Sequence, residues 1–211
     1  MNEEAKIQLS GLEMELVNNT EWIFTKQLII KKVYQLLGQL HDDYKKVVEK
    51  QKPYLPKMLL QPGGKISKGE NYQGLPYVIL DYPALFNKEN IFAVRTMFWW
   101  GNFFSISLHL SGENFWPVPN FLEALPFLRE RDFSISVNES QWHHHFHPSN
   151  FVKIDELSPD NLNKLTHKSF LKIAKKTQLT EWNSASIFLK ETFEDIMEFI
   201  KFNFPAGEID L

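Results

Sequence analysis

Apolar residues repeat at helical spacing through the first quarter of the chain. Ala5, Leu9, Leu12 and Leu16 share one stripe and predict a first helix. Asn18-Asn19-Thr20 then supplies N-cap side chains, with Glu21 placed for a first turn. Trp22, Ile29, Val33, Leu36, Leu40, Tyr44 and Val47 continue a second stripe to about residue 50, where Pro53 and Pro56 end the helix.

The period then changes. Gln61-Pro62-Gly63-Gly64 reads as a breaker, and strands are expected at about 76–82, 91–100, 103–110 and 132–137. Gly101-Asn102 between two β-rich runs predicts a two-residue hairpin loop, with Trp100 opposite Phe103 and Arg95 opposite Leu108. Asn120 to Glu123 resembles a capping box opening a short helix that Pro126 kinks or stops. Phe133, Ile135 and Val137 alternate with Ser134, Ser136 and Asn138, the pattern of a strand with one wet face.

Ser158-Pro159-Asp160 signals a helix start, and Leu162, Leu165, Ile173 and Ala174 extend that helix to about Thr177. Another begins at Thr180-Glu181, with Phe188, Phe193, Ile196, Met197 and Ile200 facing inward. The expected class is α+β: a central antiparallel meander packed by long N-terminal and C-terminal helices, in one domain spanning residues 1–211.

Composition narrows the chemistry. The 211 residues include no cysteine, which removes thiol catalysis, thiolate metal sites and disulfides. A net charge of −3 gives no general affinity for nucleic acid. Lys45, Lys46, Lys50, Lys52, Lys57, Lys65 and Lys68 form a basic stretch that suits a solvated helix end and loop, or else a nucleic-acid or acidic partner. The acidic start, Met1-Asn2-Glu3-Glu4, and the lack of a long apolar run fit a soluble, cytoplasmic protein without a membrane segment. No phosphate-loop, dinucleotide or nucleophile-elbow pattern occurs.

Two candidate sites follow. With the hairpin reversing at 101–102, Thr96, Phe98, Trp100, Phe103, Ser105, Ser107 and His109 share a face that mixes aromatic walls with hydroxyls and an imidazole. That mixture suits a small-ligand pocket, and it also suits a half-exposed sheet face. Arg95 falls on the apolar face and needs a partner, for which Asp81 on the preceding strand is the candidate ion pair. The second site is Trp142-His143-His144-His145-Phe146-His147, in which an extended chain aims His143, His145 and His147 to one side and His144 to the other. Two of these imidazoles with a distant third ligand such as Glu139, Asp155 or His109 would suit zinc. A pH-sensitive loop is the other chemistry that clustered imidazoles offer.

The leading functional expectation is a non-catalytic module that binds a small ligand or a partner segment. A zinc-dependent hydrolase centred on residues 143–147 is one alternative. A structural protein whose long helix and exposed aromatics form a homodimer is the other.

Overall fold

The computed structural model describes residues 7–56, 59, 63–88, 90–113, 115 and 117–204. Ala5 of the first stripe, Lys57 of the basic stretch and the Gln61-Pro62 half of the breaker lie outside them. The architecture is α+β: five helices flank a seven-stranded antiparallel sheet of order β1-β2-β3-β4-β7-β5-β6. No helix among the described residues is long and apolar enough to cross a membrane.

Helix α1 (Gly11–Asn18) starts later than its apolar stripe because Ser10 caps it, accepting from the Glu13 N–H while the Glu13 carboxylate accepts from Ser10 N–H at 2.7 Å. Helix α2 (Thr20–Gln51) is capped by Asn19, whose side chain accepts from Trp22 N–H at 2.9 Å. Its buried face is Val33, Leu37, Leu40, Tyr44, Val47 and Val48. The C-terminal helix α5 (Trp182–Asn203) packs beside it, and the Tyr44 ring stacks on Phe193 with centroids 3.9 Å apart.

Strands β1 (Gly63–Tyr72), β2 (Leu75–Phe86), β3 (Ile91–Trp99) and β4 (Phe103–Ser111) form a continuous meander. β1 was not expected: its residues are glycine- and lysine-rich, and it sits at a sheet edge where little apolar signal is needed. Gly69 lets Tyr77 lie directly across it, since a Cβ there would overlap the tyrosine ring.

The hairpin between β3 and β4 turns one residue away from the expected position. Trp99 pairs with Phe103, Phe98 with Phe104 and Arg95 with Ser107, so the loop is Trp100-Gly101-Asn102. Gly101 adopts φ +68°, the left-handed residue of a three-residue turn, and Asn102 N–H donates to Trp99 C=O at 3.1 Å. This slip re-sorts the two faces. Phe92, Val94, Thr96 and Phe98 lie with Phe104, Ile106, Leu108 and Leu110, and this is the face that packs on α2 and α5. Arg95, Met97 and Trp99 lie on the other face with Phe103, Ser105, Ser107 and His109.

After α3 (Phe121–Glu130) the sheet departs from a simple meander. Asn120 caps α3 without a side-chain hydrogen bond, and the helix continues through Pro126. β5 (Ser134–Ser136) pairs with β6 (Phe151–Lys153) and with β7 (Phe170–Gln178), and does not pair with β4. Its Ser134 and Ser136 are buried, so neither side of that strand is wet. The helix begun at Ser158, α4 (Pro159–Thr166), ends well before Thr177, and residues 170–178 are strand β7. There Leu171 and Ile173 face the helices while Lys172 and Ala174 face the opposite side, a period of two that the helical reading of Ile173 and Ala174 missed.

Candidate functional site

The second sheet face is roofed by the irregular segment 138–150, which carries the histidines. Tyr72 fastens it from β1: its hydroxyl accepts from the backbone N–H groups of His144 and His145 at 2.7 and 3.1 Å. Phe146 stacks on Phe151 and meets Phe103 edge to face.

Under this roof lies a connected polar cluster. Asp81 and Arg95 sit opposite each other in the β2–β3 register and form a bidentate pair at 2.7 and 2.8 Å, with side chains 13% and 19% exposed. Arg95 Nη1 lies 3.2 Å from His144 Nε2. Lys172, 2% exposed, reaches up from β7 to the carbonyls of Gln141 and His143 at 3.1 and 2.7 Å, and its Nζ is 3.2 Å from His144 Nδ1. His109 Nε2 is 2.8 Å from Gln141 Oε1, completing the roof contacts on the β4 side.

Donor and acceptor valences tie the protonation of Lys172 to the tautomer of His144. A guanidinium only donates, so His144 Nε2 offers its lone pair to Arg95. A neutral imidazole then carries its proton on Nδ1, and that N–H faces Lys172 Nζ. Both contacts are hydrogen bonds together when Lys172 is a neutral amine: its lone pair accepts from His144, and its two N–H groups donate to the Gln141 and His143 carbonyls. An ammonium would force the His144 proton onto Nε2, against Arg95. Burial pushes the Lys172 amine down to about 7, with the nearby Arg95 charge adding to the effect. Burial likewise holds His144 down at about 2 and His109 at about 4, with the charge that Lys172 carries once protonated the next cause for both.

Beside the cluster, at the turn end of the hairpin, a cleft of about 610 Å³ opens to solvent. Trp99 and Phe103 from the hairpin line it, with His145, Phe146 and His147 from the roof and Lys176 from β7. Trp99 is 4% exposed, and its indole N–H has no acceptor. The exposed Lys176 ammonium rests over the rings of Phe103 and Phe146 at 5.4 and 5.1 Å, and among the described residues no carboxylate lies within ion-pair distance of it.

The residues expected to form one pocket are therefore divided. Phe103 lines the cleft, whereas Ser105, Ser107 and His109 share its face but are buried under the roof. Thr96 is in the helix-side core, its hydroxyl 3.1 Å from Tyr44 Oη. Phe98 and Trp100 border a separate groove with Ile29, Lys32, Leu179 and Trp182. The His143 and His145 ring centroids are 5.3 Å apart, those of His145 and His147 6.3 Å apart, and His147 Nδ1 is engaged by Ser149. Among the described residues no group of three or more His, Asp or Glu is arranged to hold a metal ion. Lys172 was missed, although a lone lysine in Phe170-Leu171-Lys172-Ile173-Ala174 signals a special environment once that run is read as strand.

Comparison of the chain with protein-family models, curated proteins and solved structures gives no match.

Proposed function

We propose that the protein is a small-ligand-binding module that takes a planar, anionic molecule in the cleft beside the β3–β4 turn. The observation that carries this reading is an exposed cation, Lys176, resting over the two phenyl rings that wall the cleft, with no carboxylate within ion-pair distance among the described residues. Phe103 and Phe146 supply flat apolar walls, and the His145 and His147 imidazoles supply further polar groups at the rim. An aromatic carboxylate or sulfonate would meet these features, with its ring against the phenyl groups and its oxygens toward the ammonium.

The test is a fluorescence titration with 1-anilinonaphthalene-8-sulfonate. Saturable one-to-one binding is expected, weakened about 5–10-fold in Lys176→Ala and recovered in Lys176→Arg, as loss and return of one charge contact imply. Absence of saturable binding, or equal affinity in wild type and Lys176→Ala, would overturn it.

A further inference from the structure

The N-terminal third of α2 is largely exposed, with apolar residues on both sides. One side, with Trp22 and Ile29, continues the stripe that packs further along through Val33 and Leu37. On the far side a separate stripe, Glu21, Phe24, Leu28 and Lys31, recurs at helical spacing and is wholly exposed, with Phe24 at 64% and Leu28 at 59%. A helix apolar on both faces is built to be covered on both.

The order of that second stripe specifies its cover. It reads acid, aromatic, aliphatic, base, and reversing its direction places each residue against its complement. Laid antiparallel on a second copy with residue 26 at the crossing, Phe24 meets Leu28 of the other helix and Glu21 meets Lys31, and the same two contacts recur across the twofold axis. Lys26 itself lies on the opposite side of the helix, in line with Trp22 and Val33, so no like charges meet at the centre. Neither Glu21 nor Lys31 has an ion-pair partner within the chain among the described residues. Helix α1, immediately before this seam, buries none of its own residues. Its Leu12, Met14, Leu16 and Val17 add exposed apolar surface toward the roughly 800 Å² per partner of a standard interface.

We propose that the chain forms a twofold homodimer through antiparallel pairing of the α2 N-terminal segments, with a Phe24–Leu28 core closed at each end by Glu21–Lys31. This surface is separate from the ligand cleft and independent of it.

Sedimentation equilibrium on the full chain at micromolar concentration tests this. Wild type should sediment as a dimer of the 24.9 kDa chain. Glu21→Lys and Lys31→Glu should each weaken association about 10-fold or more, because every single reversal creates two repulsive pairs. The double variant Glu21→Lys/Lys31→Glu should restore wild-type association. Phe24→Asp/Leu28→Asp should be monomeric with its circular dichroism retained, since both side chains are exposed; if it misfolds, the charge swap still decides. A monomeric wild type overturns the proposal, as does a dimer to which the single and double reversals make no difference.

Discussion

Replacing Lys172 with methionine tests the protonation argument directly. The folded chain holds this amine down at about 7, whereas an unfolded lysine titrates near 10.4. Between these values the unfolded chain binds one more proton, so stability rises with pH by about 1.4 kcal/mol per unit. Below pH 7 both states are protonated and the residue contributes no slope. Methionine keeps the aliphatic length but leaves the Gln141 and His143 carbonyls and the His144 N–H without partners, at about 1–3 kcal/mol per buried group. The variant should therefore be less stable than wild type at pH 9, and the gap should narrow by about 2–3 kcal/mol on going to pH 7. In thermal melts that is a differential shift of roughly 3–6 °C per pH unit for a chain of this size. Taking the difference between the two proteins cancels other groups that titrate in this window, including Lys168, which burial lowers to about 8. Melting temperatures that stay parallel from pH 7 to pH 9 would show that Lys172 is charged in the folded state and refute the valence argument.

The acid limb depends on the imidazoles: His109 and His144 are both held below the ordinary 6.5, so the stability they contribute is present above that value and is lost as pH falls toward 4. Urea denaturation should show stability falling by up to about 2.7 kcal/mol per unit in this range, and His109→Asn should roughly halve the slope. Asp81→Asn removes the carboxylate from a largely buried guanidinium and should cost about 3 kcal/mol in urea unfolding; a loss within 0.5 kcal/mol, about the effect of an ordinary surface change, would mean that solvent compensates Arg95.

Helices α2 and α5 were legible because each presents a long apolar stripe bounded by strong signals, Asn19 and Pro53 for the first and Thr180-Glu181 for the second. The β3–β4 hairpin was legible as an element, but its register was not. Gly-Asn satisfies a two-residue loop locally, and only the pairing of β3 with β2 and of β4 with β7 selects the three-residue turn. That single-residue difference determined which side chains share a face, so the expected pocket divided and Arg95 joined the histidine side. Strand β7 escaped because its inserted position between β4 and β5 is a tertiary fact, and Lys172 was hidden with it. The histidine cluster drew attention by composition for a metal, while the member buried against Arg95 and Lys172 is His144.

The sheet's two surfaces are sealed by different means. Helices α2 and α5 cover one with interlocked side chains, whereas the 138–150 ribbon adheres to the other largely through polar anchors at Tyr72, Lys172 and His109. A cover held by a few anchors is expected to open locally before the helical layer does. Its amides should exchange with solvent deuterium far sooner than those of β3 and β4, and charging one amine below neutral pH would hasten that release without melting the core.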